Sequence, residues 1–174
     1  MDEIEIVEYN PDWANMFEHE AESIRKALGK DAIAEIQHIG STAVPELAAK
    51  PVIDIMVGLR DLSYGKSTIK PLQDLGYVYW AENPNLEKMF FVKGMPPYGE
   101  KRTHHVHVVE IDGKFWQRRL FRDYLRIHPE EARRYEKLKR ELAVQFHHDR
   151  EAYTQGKSNY VGEVMKKARR EFGN

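Results

Sequence analysis

The sequence predicts an α+β fold in which a mixed β-sheet is flanked by helices and the C-terminal third is helical. Short apolar runs and period-two alternation, both typical of strands, are confined to roughly the first 114 residues. From Phe115 onward, the apolar residues recur with helical spacing. The length of 174 residues suits one domain. We therefore expect a single domain over residues 1–174, with an α/β part over about 1–114 and a helical part over about 115–174; a boundary near residue 114 is the alternative.

The composition narrows the class of protein. A net charge of -1 argues against a globally basic nucleic-acid-binding protein, and 41% hydrophobic residues are enough for a core. The sequence has no Cys, which excludes disulfides and thiolate ligands and suits a reducing compartment. The N-terminus is acidic and lacks the apolar segment of a signal peptide, and no apolar run approaches the ~20 residues that cross a bilayer. We expect a cytoplasmic protein with neither a membrane nor a nucleic acid as its partner.

The N-terminal part alternates between helices and strands. Asn10 and Pro11 are typical of a helix start, so a first helix is predicted over 11–28, ended by Gly29. Strands are predicted over 33–39, 51–58, 77–80, 89–93 and 105–110, a helix over 67–75, and a turn or short helix over 44–50. The run at 51–58 is nearly all apolar and β-branched, which indicates a central strand buried on both faces.

The C-terminal part is predicted to form three helices, over 115–126, from 129 to about 148, and over 158–172. His128-Pro129 ends the first and starts the second, because Pro is favoured at the first helical position. Residues 153–156 are predicted to be a linker. We interpret His147 and His148 as capping the C-terminal end of the second helix, where the helix dipole favours cations.

The segment 38–56 carries the most chemical information. One predicted strand ends at Gly40-Ser41-Thr42, and the next carries Asp54 among apolar neighbours. A glycine lets the backbone approach a phosphate, which hydroxyl and N–H groups then hold, and a buried carboxylate on the adjacent strand binds Mg²⁺ or Mn²⁺. The pattern resembles that of polymerase-β-type nucleotidyltransferases. It predicts phosphate contacts at Gly40, Ser41 and Thr42, and a catalytic, metal-binding carboxylate at Asp54.

Met56 departs from that pattern. Such enzymes normally carry a second acid two residues after the first, on the same strand face, and the two carboxylates hold a pair of ions. The thioether of Met56 is a poor ligand for Mg²⁺. One interpretation is an enzyme whose missing ligand comes from elsewhere, and another is a non-catalytic module that binds a nucleotide or phosphorylated metabolite. A third is a structural Asp54 that accepts hydrogen bonds from the 40–42 turn.

A second group of candidate ligands lies in Arg102-Thr-His-His-Val-His107. His105 and His107 share one face of a predicted strand, a spacing that suits Zn²⁺, Ni²⁺, Mn²⁺ or Fe²⁺ when a third ligand arrives from another strand. Asp54 is the candidate third ligand and His38 the candidate fourth. The alternative is that His104 or His105 is a surface residue and that His107 bonds to a neighbouring backbone group. We rank Zn²⁺ behind Mg²⁺ and Mn²⁺.

A third group is basic and is a candidate anion-binding wall. Its members are Lys50, Arg102, Arg122, Arg126 and Lys157. Arg and Lys recognise phosphate through charge-assisted hydrogen bonds. The alternative is that these side chains are solvated or paired with acids such as Asp123 and Glu130.

These motifs together resemble the GrpB family. The matching segments are GSTAVPELAAKPVIDIMV at 40–57, YNPDW at 9–13, RTHHVH at 102–107, FRDYLR at 121–126 and YTQGK at 153–157. They span nearly the whole chain in order. The resemblance implies a nucleotidyltransferase-like fold but no known reaction. The family also occurs fused to dephospho-CoA kinases, which implies an adenine-containing ligand such as a CoA precursor. Glu46 departs from the family pattern, which normally has Gly there.

Overall fold

The computed structural model describes residues 3–173. In chain order its elements are α1 (Trp13–Leu28), β1 (Ile33–Ile39), β2 (Ile53–Leu59), α2 (Ile69–Asp74), β3 (Tyr77–Tyr79), β4 (Lys88–Lys93), β5 (His104–Glu110), α3 (Arg119–Ile127), α4 (Pro129–Gln145) and α5 (Arg150–Phe172). Short 3-10 turns cover Ser41–Ala43, Leu62–Thr68 and Phe115–Arg118. This order confirms the predicted α+β class and the helical C-terminal third.

The five strands form one mixed sheet in the order β1-β2-β5-β4-β3. The β2–β5 pair is parallel, and the other neighbours are antiparallel. β2 therefore has a strand on each side, as its continuous apolar sequence predicts. Within β2, Asp54 is the one residue that is half-buried, and the other six are buried.

Strand register decides which side chains share a face of the sheet. Asp54 pairs with Ile39 on one side and with His105 on the other, so these three face the same way. Phe115 and Trp116 cover that face in an apolar cluster with Ile39, Met56 and Val109. The opposite face packs against α1, where the ring of Phe17 stacks on His38 with centroids 4.8 Å apart.

The chain divides into two units. The sheet unit comprises residues 12–39 and 52–117, and the helical unit comprises the described residues of 1–11, 40–51 and 118–174. In the helical unit, α3, α4 and α5 pack on one another through an apolar cluster that also takes in Val44 and Leu47. Its helical members are Leu120, Phe121, Tyr124, Leu125, Tyr135, Val164, Met165 and Ala168.

Several element boundaries differ from the predictions. α1 begins at Trp13, because residues 11 and 12 form a turn and the Asp12 carbonyl accepts the first helical bond, from the amide of Met16. Of the two alternatives predicted for residues 44–50, the structure has the turn, followed by a bridge between Ala49 and Val7. α4 ends at Gln145.

The predicted linker at 153–156 is wrong, because these residues lie inside α5. Gly156 faces α4, and a Cβ atom built there would lie 2.7 Å from Cδ2 of Leu142. The glycine marks a close approach of two helices and does not interrupt either one. None of the helices within residues 3–173 has the length and apolar character that a bilayer-spanning segment needs.

Candidate functional site

The carboxylate of Asp54 lies between two imidazoles of the neighbouring strand. Parallel pairing puts Asp54 opposite His105 and Met56 opposite His107, so both histidines lie on its face of the sheet. Oδ1 of Asp54 is 3.1 Å from Nδ1 of His105 and 3.5 Å from Nε2 of His107. The structure thus brings together three of the four ligands proposed from the sequence.

The protonation states of this group follow from burial and hydrogen bonding. Burial raises the pKa of the Asp54 carboxyl, but its bonds with His105 and His107 outweigh that effect and hold the pKa well below its usual range. Burial lowers the pKa of His107 to about 4, against the opposing effect of Asp54. At neutral pH, Asp54 is therefore ionised and His107 is neutral.

Lys88 orients His107, and no sequence signal pointed to it. Its Nζ donates to Nδ1 of His107 at 3.2 Å, which leaves Nε2–H as the group directed at Asp54. The same Nζ lies 4.7 Å from the ring centroid of Phe90 and 4.8 Å from that of Phe115. Two aromatic rings and the His107 imidazole thus hold this cation.

His38 does not join this group. Because alternate residues of a strand point to opposite faces, His38 pairs with Ile55 and lies against Phe17 on the other side of the sheet. The prediction of His38 as a fourth ligand is therefore corrected. Met56 is fully buried on the Asp54 face, where the second acid of the nucleotidyltransferase pattern would lie.

Another set of side chains brings its potential metal-ligand atoms closer together. Within residues 3–173, only Glu3, His147 and His148 bring three carboxylate or imidazole ligand atoms all within 4.8 Å of one another, and all three residues are exposed. Because α4 ends at Gln145, the two histidines lie beyond the helix and do not form its last turn, which corrects their predicted capping role.

The predicted phosphate-binding turn has the expected backbone. Gly40 has φ 75°, a conformation that favours glycine, and precedes the 3-10 turn at Ser41–Ala43. Nε of Arg126 donates to the carbonyl of Ala43 at 2.9 Å and holds the turn. Ser41 is half-buried, whereas Thr42 is only 4% exposed and is directed inward.

The predicted basic residues separate into different environments. Arg122 is buried, and its Nε and Nη2 each lie 2.8 Å from Oδ1 of Asp123, the pairing named as the alternative. Arg102 precedes β5 in the sheet unit and is half-buried. Lys50 and Lys157 each contact the ring of Tyr153, with Nζ atoms 4.9 and 4.4 Å from its centroid.

The mixed sheet with its parallel β2–β5 pair and flanking helices defines an α+β protein, and its fold is nucleotidyltransferase-like by likeness to solved structures. A crystal structure of the conserved protein GrpB from Enterococcus faecalis superposes with a TM-score of 0.87 at 31% identity, over 98% of this chain and 100% of that chain. A structure of Cid1 in complex with its short product ApU superposes with a TM-score of 0.52 at 10% identity, over 77% of this chain and 40% of Cid1. At that identity the second likeness concerns the fold alone.

The family model described as GrpB protein matches residues 3–167, and the chain belongs to the GrpB family. A UPF0157 protein of Pseudomonas aeruginosa is 47% identical over 167 residues, which cover 96% of this chain and 68% of the relative. A dephospho-CoA kinase of Mycolicibacterium paratuberculosis is 26% identical over 188 residues, which cover 95% of this chain and 46% of that protein. These matches confirm the resemblance drawn from the sequence motifs.

Proposed function

We propose that the protein binds a nucleotide or another phosphorylated metabolite together with one divalent ion, and that Asp54 is the carboxylate ligand of that ion. The observation that carries the proposal is an ionised Asp54 contacted by His105 and His107 on one face of a nucleotidyltransferase-like sheet. The phosphate contacts predicted at Gly40, Ser41, Lys50 and Lys157 lie in the helical unit and stay predictions.

The chemistry of these donors fits a single ion. A metal ligand binds as an ionised carboxylate, the state of Asp54, or as a neutral imidazole whose unprotonated nitrogen faces the ion, so His107 would bind only after its Nε2 proton is lost. Nδ1 of His105 is the nitrogen nearest Asp54, and Nε2 of the same ring is buried without a hydrogen-bond partner. In the proposal the ion takes the carboxylate of Asp54 and an imidazole nitrogen, donors that suit Mn²⁺ or another first-row ion better than Mg²⁺. When bound, the ion supplies charge neutralisation for phosphate oxygens.

The remaining residues of the site orient the ligands and exclude water. Lys88 holds His107 through Nδ1 and so fixes the imidazole that faces Asp54. The ring of Phe115 stacks on His107 with centroids 5.3 Å apart, and that of Phe90 lies 5.0 Å away. These contacts keep the histidine in one rotamer beside the carboxylate.

A non-catalytic binding module is the second candidate function, and the buried Met56 favours it. A pair of ions needs two carboxylates to clamp a transferring phosphoryl group, and Met56 takes the place of one of them. The active form would transfer a nucleotidyl group to a small molecule and release pyrophosphate. Pyrophosphate release from nucleoside triphosphates in the presence of Mn²⁺ distinguishes the enzyme from the module.

The ligand class also draws on the relatives. Because a dephospho-CoA kinase contains a region similar to this chain, an adenine-containing ligand such as a CoA precursor belongs in the proposal. The ligands to be tested are therefore CoA and dephospho-CoA together with ATP, CTP, GTP and UTP.

The test is a thermal-shift screen of wild type, Asp54→Asn and Asp31→Asn against these ligands, each with and without Mg²⁺, Mn²⁺ or Zn²⁺. A ligand at about 100 times its dissociation constant adds about 2.7 kcal/mol of stability, which raises Tm measurably. We expect one ligand to give a metal-dependent shift that is lost in Asp54→Asn. Asp31 is an exposed acid of the same unit, so Asp31→Asn should keep the shift. Equal shifts in both variants, or none in wild type, would contradict the proposal.

A further inference from the structure

Three lysines gather around buried aromatic rings in the helical unit. Nζ of Lys50 and Nζ of Lys157 lie 4.9 and 4.4 Å from the ring centroid of Tyr153, which is fully buried. Lys139 reaches the same region from α4, where its Nζ donates to the carbonyl of Ala48, two residues before Lys50. The anion-binding group predicted from the sequence contains Lys50 and Lys157 but not Lys139.

Lys139 is the unusual member, because it is a lysine with only 2% of its surface exposed. A buried ammonium is costly unless its three donors and its charge are satisfied. In the described part of the chain, Lys139 makes one hydrogen bond, to Ala48, and no ion pair. Its Nζ also lies over the ring of Tyr135, 4.8 Å from the centroid. The amine therefore has donors available for a further acceptor.

Glu136, the acid whose charge raises the pKa of Lys139, forms its hydrogen bonds with other groups. Glu136 accepts from the amide of Ala48 at 3.1 Å and from Nε of Arg140 at 3.1 Å. Arg140 also pairs with Glu8, a side chain that is 85% exposed. These carboxylates thus bond to Arg140 and to the backbone, and neither bonds to Lys139.

The electrostatics of Lys139 agree with this geometry. Burial lowers its pKa to about 7, the charges of Lys157 and Lys50 act in the same direction, and Glu136 opposes them. Near neutral pH, a substantial fraction of the amine is therefore unprotonated. A bound anion would favour the ammonium form and draw a proton from solvent.

We infer that Lys50, Lys139 and Lys157 form a site for a phosphate or pyrophosphate group, and that this group binds with uptake of a proton by Lys139. The inference rests on the proposed function only in that both take the ligand to be phosphorylated. The site requires neither Asp54 nor a divalent ion. Lysine ammonium groups are compact charges that suit a phosphate with several acceptor oxygens, and the aromatic rings position their aliphatic stems.

The first test is calorimetric titration of inorganic pyrophosphate, without divalent ions, into wild type, Lys139→Met and Lys137→Met. Met matches the length of Lys139 and removes its charge, while Lys137 is an exposed lysine of the same helix. We expect the dissociation constant to rise at least about tenfold in Lys139→Met, the loss of one charge-assisted hydrogen bond, and to stay unchanged in Lys137→Met. Equal affinity in all three proteins would overturn the inference.

A second variant and a measurement of proton uptake distinguish a loss of binding from a folding defect. Lys157→Met changes a less buried member and should weaken pyrophosphate to a similar degree. Titrations at about pH 8 in two buffers of different ionisation enthalpy measure the protons taken up on binding, because the apparent heat then depends on the buffer. Wild type should take up close to one proton, and Lys139→Met should take up fewer. A heat independent of the buffer in wild type would overturn the coupling.

Asp54→Asn separates this inference from the proposed function. Because the lysine site does not use Asp54, this variant should bind pyrophosphate as wild type does, whether or not it binds a metal–nucleotide complex. Loss of pyrophosphate binding in Asp54→Asn would overturn a metal-independent site. Metal-dependent nucleotide binding by a wild type that does not bind pyrophosphate would overturn the lysine site and leave the proposed function standing.

Discussion

Glu46 holds a backbone conformation that L-residues rarely adopt. Its φ is 65°, in the turn between the 3-10 turn and Leu47, at the position where the sequence resemblance predicts glycine. The left-handed region brings Cβ close to the following carbonyl and costs a non-glycine residue roughly 1–2 kcal/mol. Glu46 is therefore strained in this turn.

Replacing Glu46 by Gly should raise the free energy of unfolding. The strain is relieved and the greater entropy of glycine in the unfolded chain offsets part of the gain, which leaves about 0.5–1 kcal/mol. Chemical denaturation of wild type, Glu46→Gly and Glu46→Ala measures the effect. Glu46→Ala keeps Cβ and loses the carboxylate, so it should gain little; an equal gain in Ala would show that charge, and not backbone strain, is responsible.

The residues of the candidate site differ in how far sequence predicted them. Asp54 was visible as an acid in an apolar strand, and His105 and His107 as a pair with strand spacing. No sequence pattern predicted Lys88, because this residue comes near His107 only through the pairing of Phe90 with His107 in the sheet. His38 was misassigned, since its sequence neighbours do not reveal which face it takes.

In helix α5, the effect of a glycine on stability depends on what packs against it. It contains two interior glycines: Gly156, which faces Leu142 of α4, and Gly162, where an added Cβ would meet nothing within 4 Å. Glycine lowers helix stability by about 1 kcal/mol relative to alanine when nothing else changes. The two positions therefore form a matched pair within one helix.

Alanine at the two positions should have opposite effects on stability. Gly162→Ala should stabilise the protein by about 0.5–1 kcal/mol through helix propensity. In Gly156→Ala, a methyl group 2.7 Å from Leu142 overpacks the contact. That overpacking costs about 1–3 kcal/mol, which cancels or exceeds the gain. Thermal unfolding of both variants checks this, and equal stabilisation would mean that α5 and α4 do not pack closely at Gly156.

At the scale of the whole molecule, the buried amine of Lys139 makes the free energy of unfolding rise with pH above about 7. Its pKa in the folded protein, about 7, lies below the value of 10.5 for an ordinary lysine. Between these values the unfolded chain binds more protons than the folded one, so this contribution to stability rises with pH and is lost as pH falls toward 7.

The part of the pH dependence that Lys139 causes should disappear when Lys139 is replaced by Met. From pH 7 to pH 9, the free energy of unfolding of wild type should rise by about 2 kcal/mol relative to Lys139→Met. Urea denaturation of both proteins at intervals of pH gives this difference directly. A constant difference across the range would mean that Lys139 stays protonated in the folded protein.

The sequence by itself determined the strands, most of the helices, the fold class, the family and the candidate group Asp54, His105 and His107. Apolar periodicity reports which faces are buried, and H-x-H spacing reports a shared strand face, since both depend on near neighbours in the chain. Only the tertiary structure decided that His38 lies on the far side of the sheet, that Lys88 holds His107, and that Lys139 lies near Lys50 and Lys157. These facts depend on strand register and helix packing between residues distant in sequence, and no local pattern encodes such contacts.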